Sequence, residues 1–249
     1  MAKITLTPPH APVRPEGIPM SLTALVSYDD TSSDHDALML ARIFGAAGAR
    51  PLLVYVRHAT QSERMREELE EDEARALLER GARWLGEWNM PETTRVAVSA
   101  STAEGLRRLA ASEGADLIIF GSEHRTAPGH VAPQRSTQVL LDGGPAAVAI
   151  APAGYRSDRV PRIDTIGVPA ASADDAALAT ARRLAEHRHA ELVNHGRGVD
   201  LLVIGSREEA SIGQVMVSAR ARNEIESATA PVLVVARGVP LRFAVPATA

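Results

Sequence analysis

Four carboxylates, Asp29, Asp30, Asp34 and Asp36, follow the short apolar run LTALVSY, and oxygen ligands grouped in this way could hold Mg²⁺ beside a phosphate. The same spacing suits a helix start. Asp34 and Asp36 there complement the macrodipole and read as capping residues, while Asp29 is open to either role. His187, His189 and His195 form the other conspicuous group. No H-E-x-x-H pattern or carboxylate set accompanies them, so they read as a solvated helix end and no metal site is expected. The chain has no Cys, which removes disulfides, thiolate nucleophiles and thiolate metal sites. Its one Lys is Lys3, and it contains no G-x-S-x-G, no G-x-x-x-x-G-K-[ST] and no G-x-G-x-x-G. Lysine chemistry in the folded part, a nucleophile elbow, a Walker loop and a dinucleotide fingerprint are therefore excluded.

The elements that must position these residues follow a regular grammar. LTALVSY, PLLVYV, RVAVSA, DLIIFGS and PAAVAIAP read as five strands, mostly continuous apolar runs. Between them lie an apolar stripe at Ala37, Leu40, Ala41 and Phe44, a charged helix from Gln61 to Trp88, and a helix opened by the S-x-x-E pair Ser101 and Glu104 and stopped by Gly114. Alternation of buried strands with amphipathic helices predicts a doubly wound parallel α/β sheet, Rossmann-like, over residues 21–155. Residues 1–20 carry five Pro and read as an extended arm outside the fold. The formal charge of −4 advertises no face for nucleic acid, and no apolar run is long enough to span a membrane. With no apolar stretch of a secretion signal at its start, the chain is expected in the cytoplasm. Only eight residues are Trp, Tyr or Phe, too few for a platform that stacks bases or a flavin.

The chain also repeats itself. GADLIIFGS returns as GVDLLVIGS 84 residues later, and Asp116, Ser122, Gly129, Val131, Val148 and Gly154 pair with Asp200, Ser206, Gly213, Val215, Val232 and Gly238 without a gap. The stripe Ala37, Leu38, Ala41, Arg42 returns as Ala177, Leu178, Ala181, Arg182, 140 residues on. The difference of 56 residues predicts a second copy, over 162–241, cut down to strand, helix, strand, helix, strand.

Both copies resemble the universal stress protein family, whose hallmark is strand-G-x-x-G-x9-G-[ST]-helix with an Asp after the first strand. The resemblance rests on GSEHRTAPGHVAPQRSTQVLLDGGPAAVAIAPAGY and GSREEASIGQVMVSARARNEIESATAPVLVVARG. It implies an adenine nucleotide hydrolase-like fold with strand order 3-2-1-4-5, and pairing of the two copies through their fifth strands as a pseudo-dimer within one chain. Further homodimerisation is left open. In a copy reduced to strands 1, 4 and 5, strand 1 would be a bare edge, to be covered by the N-terminal arm or the first copy.

The family's site works because glycines let backbone N–H groups approach phosphate oxygens. Position by position, Asp29 matches the family's Asp and Gly121 the first Gly. His124 stands at the second Gly, Gln134 at the third and Arg135 at the following Ser or Thr. Asp29, Gly121, Ser122, His124, Gln134, Arg135 and Ser136 are thus the candidate ATP site, with His124 and Arg135 able to reach an anion. The second copy keeps Gly205 but has Glu208 at the second Gly and Ser218 with Ala219 at the last pair, and VPAAS without an Asp after its first strand. No cofactor is expected there, and ATP with Mg²⁺ is admitted in the first copy only. No base and nucleophile pair can be assigned, so a non-enzymatic regulator acting by protein association is expected. The alternatives are an ATP-binding switch and, last, an enzyme of the related fold, whose S-G-G-x-D-S loop is here YDDTSSD.

Overall fold

The computed structural model describes residues 22–58, 64–87, 93–156, 161–170 and 174–243, with backbone alone for 64–70. The expected arm and the first residues of the charged helix lie outside these. The elements run β1 (Thr23–Ser27), α1 (Ser32–Ala46), β2 (Arg50–His58), α2 (Arg64–Gly86), β3 (Thr94–Ser99), α3 (Thr102–Glu113), β4 (Leu117–Gly121), α4 (Arg135–Leu141), β5 (Ala147–Ala151), β6 (Thr165–Gly167), α5 (Asp175–Arg188), β7 (Glu191–Val193), β8 (Leu201–Gly205), α6 (Ala219–Glu226) and β9 (Val232–Val235). Local chemistry sets the helix ends. Thr31 and Asp34 form a full capping box at α1, Ser101 Oγ accepts from Glu104 N at 3.3 Å at α3, and Gly114 ends α3 in the left-handed conformation at φ 61°.

All nine strands join one sheet in the order β3-β2-β1-β4-β5-β9-β8-β6-β7. Within residues 22–156 every pairing is parallel and the order is 3-2-1-4-5. β6 to β9 are likewise parallel to one another, but β9 meets β5 antiparallel, so the sheet is mixed and not wholly parallel. That junction has a local two-fold register: Ala149 faces Leu233, Val148 faces Val234 and Ile150 faces Val232. Reciprocal hydrogen bonds flank it, Val131 N to Ala228 O at 3.2 Å and Val215 N to Gly144 O at 2.8 Å. A third, Val217 N to Leu141 O at 3.1 Å, has no reciprocal, because the equivalent position is Pro133 and carries no N–H.

The loops after β4 and β8 are braced by the same serine bonds. Ser122 Oγ donates to Ala151 O at 2.7 Å and accepts from Ala132 N at 3.2 Å; Ser206 Oγ donates to Val235 O at 2.7 Å and accepts from Met216 N at 3.3 Å. Gly129 and Gly213 have φ of 82° and 81°, a region that glycine enters without the Cβ penalty.

Residues 161–243 differ from expectation in one respect. They contain four strands, not three. β7 pairs along β6 in parallel, so the β6 edge is covered by the chain's own next segment rather than by the arm or the first copy. What is missing relative to residues 22–156 is the span of α2, β3 and α3. In its place the 194–199 loop crosses β6, so tightly that a Cβ at Gly167 would lie 2.2 Å from His195 O.

Two apolar cores sandwich the sheet. α1, α2 and α5 cover one face, where Phe44 stacks on Phe243 at 5.6 Å. α3, α4 and α6 cover the other. Both cores draw residues from both halves of the chain, so burial, the dominant favourable term, binds the halves into one body.

Candidate functional site

The strand order reverses between β1 and β4, and in a doubly wound sheet the crevice outside the strand C-termini at that point is where ligands bind. The loop after β1 is held from several sides. Asp30 has a positive φ of 61°. It is fixed by Tyr28 Oη at 2.7 Å and Arg80 Nε at 2.6 Å, with His35 Nε2 3.4 Å away. The Tyr28 bond, with those from Arg80 and His35, holds the Asp30 carboxyl below its usual range, although burial works against them. His35 in turn stacks between Tyr28 and Trp84. Asp34 is buried, and its Oδ2 accepts from Asp29 N at 3.0 Å, Thr31 N at 2.9 Å and Thr31 Oγ1 at 2.6 Å. Burial raises its pKa in spite of the Thr31 and Asp29 bonds.

Asp29 lines the crevice and is exposed. Desolvation, then the Asp34 charge, pushes its pKa up to about 6, and His58 opposes them.

Facing Asp29 is the loop after β4. A cleft of about 330 Å³ is lined by Asp29, Thr31, Ser33, Asp34, Glu123, His124, Gln134 and Arg135, so four of the seven candidate residues meet there. The other three do different work. Gly121 serves packing: a Cβ would fall 1.8 Å from Ser33 O, so only glycine lets β4 end against the first turn of α1. Ser122 is fully buried and pins the loop by the bonds given above. Ser136 lines a neighbouring cleft with His58 and Arg107.

Within the crevice, His124 Nδ1 lies 2.5 Å from Glu123 Oε1 and remains exposed. Gln134 is the N-cap of α4 without a side-chain cap bond; its Nε2 instead donates to Gly121 O and Ser122 O, each at 3.3 Å. An amide thus lies along the loop where the resembled motif has no side chain. Three carboxylates, Asp29, Asp34 and Glu123, share the cleft with Arg135 and His124.

Sequence reasoning missed Glu123, Thr31 and Ser33 as lining residues; Glu123 could have been found as the first residue after the invariant-looking G-S step of both copies. Of the two expected capping carboxylates, Asp34 caps α1 and Asp36 does not. Asp36 Oδ2 and Oδ1 accept from Gly154 N at 2.8 Å and Arg156 N at 2.7 Å, which clamps the loop after β5 onto α1. His189 is the left-handed C-cap of α5 and His187 Nε2 lies 2.9 Å from Ala46 O; among the described residues no three or more of His, Cys, Asp and Glu are grouped so as to hold a metal ion. In the second half, Gly205 again serves close packing, against Asp174, the N-cap of α5.

A parallel α/β unit of order 3-2-1-4-5 with its cleft at the reversal defines a Rossmann-like α/β protein. Residues 20–152 match the universal stress protein family, and the chain belongs to that family. Among solved structures, a universal stress protein from Archaeoglobus fulgidus DSM 4304 superposes with a TM-score of 0.64 at 15% identity, over 88% of this chain and 99% of that one. A Pseudomonas aeruginosa UCBPP-PA14 protein described as belonging to the same family gives 0.58 at 14% identity, over 86% and 92%. A family protein from Burkholderia pseudomallei is 25% identical over 41% of this chain and 82% of its own, with a TM-score of 0.36. No curated protein matches the chain. No helix among the described residues is long and apolar enough to cross a membrane.

Proposed function

We propose that this stress-response family member is a regulator that works by associating with protein partners, and that its nucleotide crevice is disused. The observation that carries this reading is Gln134, whose amide lies against the Gly121 and Ser122 carbonyls at the position of a motif glycine. The carboxylates of Asp29, Asp34 and Glu123 around the cleft add repulsion toward phosphate. The antiparallel meeting of β5 and β9 is read as a pseudo-dimer of two family-type units, the second shortened. Proteins of this family are generally regarded as non-enzymatic, and the cytoplasm is the compartment this reading supposes.

A second reading, an ATP-binding switch in residues 22–156, draws on the convergence of Asp29, His124, Gln134 and Arg135 in one cleft. Calorimetric titration with MgATP separates the two. The first predicts no saturable heat up to millimolar nucleotide. Saturable binding near one site per chain, abolished by Asp29→Ala, would replace it with the second.

A further inference from the structure

Among the described residues the sheet ends in two unpaired edges, and they are unlike. β7 is three residues long, whereas β3 runs for six and carries Val96 and Val98, 37% and 46% exposed. Leu53 N donates to Thr93 O, so by the alternation of a parallel ladder Arg95, Ala97 and Ser99 turn their backbone groups to β2, and Thr94, Val96 and Val98 turn theirs outward. Two guanidinium groups cap part of that outward row. Arg95 Nη1 donates to Thr94 O at 3.0 Å, and Arg108 Nη2 donates to Val98 O at 2.8 Å. The N–H and C=O of Val96 have no partner among the described residues. A long edge with exposed apolar side chains is a template for a further strand.

We propose that the chain's own N-terminal arm supplies that strand, with residues 4–7 antiparallel to β3. β3 runs parallel to β1, so Thr94 lies at the end of the sheet where Leu22 leads into β1. The place outside β3 is three strand spacings from β1, about 14 Å. Residues 8–21, rich in Pro, span up to about 40 Å when extended, so the arm is long enough. Traced back from Leu22 it meets Thr94 first, which sets it antiparallel. In ITLTPP the apolar residues alternate with Thr. With Leu6 across from Val96 and Ile4 across from Val98, both fall on the face of the two valines. In that register Pro8, which has no N–H to give, comes opposite Thr94, whose carbonyl already has its donor in Arg95. Ile4 N–H takes the place of Arg108 on Val98 O. The arm is not needed at β6, which β7 covers, and serves the edge at the other end of the sheet.

The test is amide hydrogen exchange on the whole chain, resolved by residue, against the double variant Ile4→Pro with Leu6→Pro. The two prolines remove the N–H donors the pairing needs and leave residues 22–243 unchanged. In the parent the Val96 and Val98 amides should exchange at least about ten-fold more slowly than in the variant, whatever the protein concentration. The Ile118 amide, in the middle of the sheet, should be equally protected in both and reports that the variant is folded. Equal exchange at Val96 and Val98 in the two proteins would overturn the proposal. Protection that grows with protein concentration would place a second copy of the chain on the β3 edge, and overturn it as well.

Discussion

The loop that follows the fifth strand is tied down differently in the two halves of the chain. After β5, Gly154 N and Arg156 N both donate to the buried carboxylate of Asp36 on α1. After β9, Leu241 N donates to the hydroxyl of Thr180 on α5, whose hydrogen goes to Ala176 O. A charge-assisted clamp in one half is matched by a neutral one in the other, although Ser122 and Ser206 brace the loops after β4 and β8 through the same pair of bonds. The first half carries a full complement of helices and an open cleft. The second has no counterpart of α2, β3 and α3 among the described residues, contains the junction strand β9, and has no Asp directly after its first strand. The difference teaches that the two halves share their packing and strand-pairing devices, while the cleft beside Asp29 belongs to the first.

The largest effect expected on this comparison is at the paired glycines. Gly121→Ala forces a Cβ to 1.8 Å from the Ser33 carbonyl oxygen, a backbone atom, and should cost about 3 kcal/mol or more in urea unfolding. Gly205→Ala meets the Asp174 side chain and N at 2.7 to 2.8 Å, where part of the obstacle can turn away, and should cost clearly less. Equal losses would show that the two halves are gripped alike. Next in size is the clamp itself: Asp36→Ala should cost about 2 to 3 kcal/mol and Thr180→Val about 1, read from the same curves. A reversed order would break the contrast between the charged and neutral ties.

The smallest effect concerns Asp29. Its folded pKa of about 6 lies above the ordinary 3.8, so the folded state holds the proton more firmly. Ionisation therefore costs stability, and the cost accrues as pH rises from about 4 to about 6 and is constant above. Asp29→Asn should be more stable than the parent above pH 6, with the gap closing below pH 4, and solvent at the open side of Asp29 keeps the gap small. If Asp29→Asn were instead less stable than the parent above pH 6, with the deficit closing toward acid, Asp29 would be held as a carboxylate.

Much of this was legible in the sequence. Continuous runs such as DLIIFGS and PVLVVARG announced buried strands, and the 84-residue echo announced a repeated loop, because glycines and serines in register are loop chemistry. β7 was not legible. Glu191–Val193 is three residues long, too short for a period to declare itself, and it becomes a strand only because β6 offers an edge. Asp36 looked like a capping residue because helix-start carboxylates normally are; its partners lie 118 and 120 residues away, which no local pattern encodes. Of the seven candidate positions four line one cleft, while Gly121 and Ser122 are packing and bracing residues. A sequence names residue types but not the direction of approach.

The account rests on β5 taking its antiparallel neighbour from the same chain. Two folded variants test it in a protein that has no other cysteine: Ala149→Cys together with Leu233→Cys, and Ala149→Cys alone. Ala149 and Leu233 face each other at the centre of the junction, a separation that a disulfide can span. After refolding under oxidising conditions, the double variant should carry an intramolecular bond and run at monomer mass, and the single variant should give no covalent dimer. Covalent dimers from Ala149→Cys alone would mean that β5 pairs with β5 of a second copy, and would contradict the account.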